Sequence, residues 1–370
     1  MGGIHLFVPM LHRRDAVGEH TRSLRALLAD RGVASRIYTE RVDPETAEET
    51  RPYTAYDDEA APGDVLVYQV ATASAMAGWL HGRPEPLVLN YHSLTPPAFF
   101  APWSNGIARL QVEAIAELGL LAPRAALGIG VSAFDAAELT AAGCPDVRVV
   151  PVANVAVPPP EPDPAVLEVL AADRAARPGP RWLSVGRLAP NKAHQRTLSA
   201  LAVARGGDQP GARLTVVGGA VEPSYARALR RLADVLGVAD AVTFTTGLSE
   251  GALAAHFRSA DVLVMVSEHE GFGVPLLEAM GQGLPVVALD AGAVAEVLGG
   301  AGVLVETSAP GALAATVGAL VSDPERRAAL AEAGRRRFAG FGLDAAGPAL
   351  VDALLGVRDA GRHEGAPEDG

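Results

Sequence analysis

DVLVMVSEHEGFGVPLLEAMGQGLPVVAL, residues 261–289, reads as a strand, a turn, a helix and a second strand in succession. Residues 261–267 are an apolar run of strand length, and 284–289 repeats the pattern. Pro275 suits the first turn of a helix, where a missing N–H costs nothing. Two short strands joined through a helix lie parallel in one sheet, because a crossover of that kind returns the chain to the same edge. Gly271, Phe272, Gly273 and Val274 then occupy the strand-to-helix turn. Glycines there let backbone amides approach a ligand, and the helix N-terminus adds roughly half a positive charge. The turn is a cradle for an anion.

The same alternation runs outward in both directions. In the first half, strands are expected at about 4–9, 34–39, 64–69, 86–92, 126–132 and 147–152. In the second they fall at about 181–186, 213–218, 242–246, 261–267, 284–289 and 302–305. Each half is expected to be a doubly wound α/β sheet. Between them VAVPPPEPDP, 155–164, is too rich in proline for a helix or central strand and favours a stiff linker. A last helical pattern covers about 344–357, and the tail RDAGRHEGAPEDG is expected to be disordered. Open α/β sheets bind ligands at the C-terminal ends of their strands. The site is therefore expected in a central cleft between two such domains.

Composition agrees with two domains: 370 residues, 49% of them apolar, exceed the ~250 at which single cores stop growing. A net charge of −12 argues against nucleic acid or an anionic membrane as the main partner. No apolar run approaches the ~18 residues of a membrane span, and MGGIHLFVPM lacks the basic region and cleavage site of a signal peptide, so a cytoplasmic protein without a transmembrane segment is expected. Cys144, the single cysteine, excludes an internal disulfide and reads as a bystander at a helix-to-strand turn. The histidines show no ligand spacing, Asp57 and Asp58 read as a solvated loop, and no Asp-x-Asp pair stands near a strand end. No metal site is expected.

The basic complement is thirty arginines and one lysine, Lys192. A GC-rich coding bias accounts for the scarcity of lysine, but not for its position. In LSVGRLAPNKAHQ, 183–195, a strand ends at Gly186-Arg187 and the turn LAPNK leads into the next helix. Both cations thus lie on the ligand edge of the second sheet. Arginine grips phosphate bidentately, and lysine supplies a compact charge where a planar fork does not fit. Two unit charges about 4 Å apart interact by ~4 kcal/mol at an effective dielectric of 20, whereas the acidic surface is screened beyond ~8 Å. Glu270 precedes the glycine turn and Glu278 lies one helical turn past Pro275. Carboxylates beside an anion site are repelled by phosphate, so these two face hydroxyl-bearing parts of a ligand. Cations, cradle and carboxylates together fit a sugar joined to a nucleotide through a diphosphate.

VGRLAPNK, the stretch from GLSEGALAAHF to AVAEVL, and GVLV resemble the second domain of the family 4 glycosyltransferases, retaining enzymes of the GT-B fold. The resemblance implies two Rossmann-like domains facing a central cleft: an acceptor-binding domain over 1–155, a nucleotide-sugar-binding domain over 156–342, and a segment 343–370 whose helix crosses back to the first domain. It also implies a hexosyltransferase that moves a sugar from a nucleoside diphosphate to a hydroxyl on a sugar, a lipid-linked sugar or a small metabolite. By the resemblance Gly186, Arg187 and Lys192 bind the diphosphate. Glu270 and the amides of Gly271 to Gly273 hold the transferred sugar, with Val274 and Pro275 continuing the turn. Glu278 takes the ribose hydroxyls, and the turn Thr246 to Leu248 reads the base. In the first domain Gly18 resembles the second glycine of the family's Gly-Gly turn opening helix one, with Val17 replacing the first; His20 reads either as facing the acceptor or as a helix-surface residue, and the surface is favoured. His92 resembles the histidine near the donor sugar, and Ser132 the serine facing the cleft.

No carboxylate is placed as a covalent nucleophile, so front-side attack is expected, without metal or cofactor, the leaving phosphate accepting the acceptor's proton. Other GT-B chemistries on nucleotide sugars (hydrolysis, epimerisation, phosphorolysis) and a non-catalytic binding module stay open on sequence alone, as does oligomeric state. GIGVSA, 128–133, matches a dinucleotide fingerprint in letters only: it arrives after several strands instead of opening a βαβ unit.

Overall fold

The computed structural model describes residues 2–12, 16–152 and 158–364. The chain divides into two compact units, one of Met1–Ala101, Asn105–Asn154 and Phe341–Gly370, the other of Pro102–Ser104 and Val155–Gly340. In the first unit the order is β1 (Ile4–Met10), α1 (Ala16–Asp30), β2 (Ile37–Arg41), β3 (Thr50–Pro52), β4 (Val65–Val70), α2 (Met76–His81), β5 (Leu87–Tyr91), α3 (Pro97–Phe100), α4 (Asn105–Leu121), β6 (Leu127–Gly130), α5 (Ala133–Ala141) and β7 (Val147–Val149). The second begins with α6 (Pro164–Ala176), β8 (Arg181–Val185), α7 (His194–Gly206), β9 (Arg213–Val217), α8 (Pro223–Val235), β10 (Val242–Thr245) and α9 (Glu250–Ser259). It continues with β11 (Val262–Met265), α10 (Val274–Gly281), β12 (Val286–Leu289), α11 (Val294–Leu298), β13 (Val303–Val305), α12 (Pro310–Val321) and α13 (Pro324–Phe338). The chain then rejoins the first unit with α14 (Leu343–Glu364).

Both sheets are parallel, in the orders β3-β2-β1-β4-β5-β6-β7 and β10-β9-β8-β11-β12-β13. Chain direction across the sheet therefore reverses between β1 and β4 in the first unit and between β8 and β11 in the second. Parallel strands are covered on both faces and so carry near-continuous apolar runs; every residue of β4, β5 and β11 is buried. Alternation along β1 sends Phe7 to one face, with Tyr38, Tyr56, Tyr68 and Tyr91, and Ile4, Leu6 and Val8 to the other. On that second face Leu350, Val351 and Leu354 of α14 complete the core. In the second unit Trp182, Leu214, Val216, Val262 and Val264 pack with Leu201 of α7 and Leu313 and Val317 of α12.

Several boundaries differ from the sequence reading. β3 was not expected: it is a three-residue edge strand ending in Pro52, where the missing N–H costs no ladder bond. β6 stops at Gly130, before the expected 132, because Ser132 caps α5, its Oγ accepting from Asp135 N at 3.1 Å. Ser132 is fully buried and spends its oxygen on the helix end, which corrects its expected role as a cleft-facing serine. Residues 155–157 of the expected linker lie outside the described residues; 158–163 hold no helix or strand, and Asp163 Oδ1 caps α6 through Ala165 N and Val166 N. The expected disordered tail from 358 is helical as far as Glu364, and 365–370 lie outside the described residues. Among the described residues no helix is long and apolar enough to cross a membrane.

The turns that leave β8 and β9 touch backbone to backbone. A Cβ on Gly218 would sit 1.9 Å from the Gly186 carbonyl oxygen, and no side chain there can yield. Gly218→Ala is expected to cost about 1–3 kcal/mol of unfolding free energy, read from urea denaturation. An unchanged midpoint would mean that the two turns are not held together as described.

Candidate active site

β8 and β11 are neighbours in the second sheet, and the turns leaving their C-terminal ends open the crevice where doubly wound sheets bind ligands. The turn after β8 carries Gly186, Arg187 and Lys192; the turn after β11 carries Glu270 to Gly273. Three contacts join them. Glu268 N donates to Asn191 O at 2.8 Å, Asn191 Nδ2 donates to His269 O at 3.2 Å, and Lys192 Nζ donates to Glu270 Oε2 at 2.6 Å. The lysine and glutamate side chains are only 16% and 10% exposed, so this is a largely desolvated ion pair. The lysine stem passes Gly186 closely, 3.6 Å from where a Cβ would stand.

Arg187 is exposed, and its backbone is held by His194. His194 Nε2–H donates to Arg187 O at 3.2 Å while Nδ1 faces Ser184 Oγ at 3.2 Å. Burial pushes the His194 pKa down to about 4, so it is a neutral spacer. Glu270 is fixed through its own carbonyl, which accepts from Ala293 N at 2.9 Å. Gly292, at φ 59°, passes so near that oxygen that a Cβ would lie 2.2 Å from it. Gly273, at φ 91°, is the residue before α10, and Val274 and Pro275 form the first turn. Gly271, Phe272 and Gly273 are buried. The expected glycine turn at a helix N-terminus is therefore present, supported from the turn after β12.

Glu278 is half buried on α10 and, among the described residues, no hydrogen bond reaches its carboxylate. Burial first, and the charge of Glu250 second, raise its pKa to about 7. Glu250 opens α9 just past Leu248, which is half buried in the turn after β10. The second unit thus gathers Gly186, Arg187, Lys192, Leu248, Glu270 to Pro275 and Glu278 at the C-terminal edge of one sheet.

His92 belongs to the first unit. It follows β5, and its Nε2–H donates to Oε1 of the buried Gln69, at the end of β4, at 2.7 Å. Burial, then the neighbouring His20, push its pKa well down. One sequence expectation fails nearby. His20 is not on the helix surface: it is 1% exposed, accepts from Asn90 Nδ2 at 2.7 Å and meets the His92 ring edge-on at 5.2 Å between centroids. Gly18 is buried in the first turn of α1, where a Cβ would strike His12 O at 2.6 Å. Sequence reasoning also missed Asn191, His194, Gly292, Gln69 and Asn90, which hold others in place. For Gln69 and Asn90 the signal available was a polar residue near the end of an apolar strand; the other three carried none. The two non-glycine residues with positive φ among those described, Ser93 at 63° and Ala193 at 51°, directly follow His92 and Lys192. Such conformations cost of order 1 kcal/mol and persist where the surroundings impose them.

Residues 173–337 match the family described as glycosyl transferases group 1. A D-inositol 3-phosphate glycosyltransferase of Xylanimonas cellulosilytica is 32% identical over 290 residues, 75% of this chain and 69% of that one. A GDP-mannose-dependent alpha-(1-6)-phosphatidylinositol monomannoside mannosyltransferase of Mycolicibacterium smegmatis is 35% identical over 195 residues, 49% of each chain. Among solved structures, Anabaena HepE in complex with UDP and glucose superposes with a TM-score of 0.75 at 18% identity, over 96% of this chain and all of the other. Sucrose-phosphate synthase from Thermosynechococcus elongatus gives 0.77 at 20%, over 97% of this chain and all of that one. At those identities the structures speak for the fold alone, which is GT-B. Taken with the relative that is matched along most of both lengths, the chain belongs to the glycosyl transferases of group 1.

Proposed function

We propose that the protein transfers a sugar from a nucleoside diphosphate sugar to a hydroxyl acceptor, with retention at the anomeric carbon and by front-side attack. The observation that carries this reading is the Lys192–Glu270 pair set against the glycine turn of α10. It puts a fixed cation, a fixed carboxylate and a helix N-terminus within one crevice. Relatives named for inositol-phosphate glycosyl transfer and GDP-mannose-dependent mannosyl transfer, and a neighbour solved with UDP and glucose, support the same substrate class.

In this reading Arg187, Lys192 and the α10 N-terminus meet the negative charge that grows on the departing diphosphate, without a metal ion. Preorganised charge of this kind is usually the largest catalytic term. Glu270 and the amides of Gly271 to Gly273 hold the sugar hydroxyls, and Glu278 accepts from the ribose, with Leu248 beside the base. Glu270 keeps one carboxylate oxygen for the sugar, because Oε2 is held by Lys192. His92 acts through Nδ1: Gln69 takes the Nε2 proton, so the remaining nitrogen of the neutral ring accepts from a hydroxyl. The leaving phosphate takes the acceptor's proton as the new glycosidic bond forms on the same face.

The direct test is a thermal-shift panel of UDP-, GDP- and ADP-sugars, since a ligand specific to the native state stabilises by RT ln(1 + [L]/Kd). NMR of the glycoside formed with hydroxyl acceptors then reads the anomeric configuration. One donor is expected to stabilise the protein and to give product of unchanged configuration. An inverted product, or release of free sugar as the sole product, would overturn the reading.

Lys192→Ala is expected to lower kcat/KM by about 100-fold or more. It also leaves a poorly exposed carboxylate without its counter-charge, costing about 1–3 kcal/mol at pH 7. Lys192→Ala with Glu270→Gln should recover stability in urea melts at pH 7 without recovering activity.

Glu278 gives a pH signature. Ribose hydroxyls donate to the ionised carboxylate, and with a pKa raised to about 7 the protonated form dominates below neutrality. Nucleoside diphosphate affinity, measured by calorimetry, should rise with pH up to about 7 and level off above it. In Glu278→Gln affinity should be weaker and flat over the same range. A wild-type profile without that rise would remove Glu278 from the nucleotide site.

A further inference from the structure

At the opposite edge of the second sheet, where its strands begin, lies a cavity of about 440 Å³, a size that suits a small organic ligand. Its apolar lining includes Phe257, Leu284, Pro285 and Ala328, with Phe257 and Leu284 buried. Its polar lining is mostly cationic: Arg258 from α9, and Arg327 and Arg335 from α13.

The one carboxylate in the lining, Asp261, is already engaged. It accepts from both Arg174 terminal nitrogens at 3.2 and 3.1 Å, from Arg181 N at 2.7 Å and from Arg327 Nη1 at 3.5 Å. Among the described residues Arg258 has only a 3.5 Å approach to Gln282 O. Arg327 Nε is buried and has no hydrogen-bond partner among the described residues. Arg335 shares Glu332 with Arg336 and rests on Gly283, where a Cβ would stand 2.2 Å from its Nη1. Each guanidinium carries five N–H donors, so three of them around one cavity leave most donors for a ligand. The same edge is positive beyond the cavity: burial, then neighbouring arginines, push the guanidinium pKa values of Arg181 and Arg213 down. In a chain with a net charge of −12, this concentration of positive charge runs against the composition.

We propose that the cavity between α9, α13 and the α10–β12 turn is a second anion site, taking a phosphate or carboxylate group on Arg258, Arg327 and Arg335 with the ligand's organic body against the exposed Pro324 and Ala328. It lies at strand N-termini, away from the donor crevice, and does not rest on the reaction proposed above.

The test is calorimetric titration with inorganic phosphate and with phenyl phosphate at 0.15 M salt. Wild type and Arg187→Ala, altered only at the donor edge, should bind both probes, phenyl phosphate more tightly. Arg258→Ala with Arg335→Ala should bind at least tenfold more weakly, and Arg258→Lys with Arg335→Lys should recover part of the affinity. Circular dichroism checks that each variant is folded. Vesicle sedimentation identifies the source: binding to phosphatidylglycerol but not phosphatidylcholine, lost in the same double alanine variant, assigns a lipid headgroup, and phosphate binding without it assigns a free anion. Phosphate affinity within twofold of wild type in the double alanine variant, or its loss in Arg187→Ala instead, would overturn the proposal.

Discussion

The ion pair between Lys192 and Glu270 ties together two turns that are 78 residues apart in the chain and adjacent in space. It forms where the second sheet reverses its winding, between β8 and β11, so each partner arrives on a different crossover. Around it the backbone leaves no slack. The turn of β8 presses on that of β9 at Gly186 and Gly218, and the turn of β11 presses on that of β12 at Glu270 and Gly292. A lysine suits this place better than the arginine used everywhere else. Its unbranched stem lies along Gly186 and delivers one compact charge to one carboxylate oxygen, whereas a guanidinium would bring a planar fork of five donors into a space framed by main chain.

The two glutamates of the site have opposite electrostatic settings, and each setting matches a different task. Glu270 has a counter-ion at 2.6 Å and a carbonyl pinned by Ala293, so its position is fixed at both ends. Glu278 has no such partner among the described residues; burial first, and the nearby Glu250 second, raise its pKa to about 7. A carboxylate paired with a cation at 2.6 Å adds no net charge to the crevice. A carboxylate whose ionisation is poised near neutrality gains most when hydroxyl donors arrive to stabilise the charged form. The same segment thereby offers an invariant contact and a responsive one, eight residues apart.

How far the sequence disclosed this architecture depended on the range of the interaction involved. Local periodicity was enough for the alternation of strands and helices, and the glycine turn with Pro275 announced the start of α10. The pairing of Lys192 with Glu270 was not visible, because nothing in either segment names the other; only the strand order brings them together. His20 misled for a related reason. A histidine early in an amphipathic helix is ordinarily solvated, yet here Asn90 from β5 supplies its bond inside the unit. Ser93 and Ala193 carry positive φ without the glycine or asparagine that would advertise it. β3 is too short, and too compromised by Pro52, to register as a strand at all. In each case a tertiary constraint overrides the local preference.

The strand pair at the switch point is secured at both ends. At the C-terminal end Lys192, Glu270, Asn191 and His269 join the turns. At the N-terminal end Asp261, just before β11, accepts from the first amide of β8 and from Arg174 of α6, while its own amide returns a bond to Arg181 O. The register of β8 against β11 is therefore set by side chains as well as by the ladder between Val262 and Trp182. A crevice built on strands clamped in this way keeps its charged groups where they are needed before any substrate arrives, and such preorganisation lets fixed charges act without a reorganisation cost. The buried His194 is part of the same design: kept neutral by burial, it holds the Arg187 carbonyl in place without adding charge beside the groups that bear it.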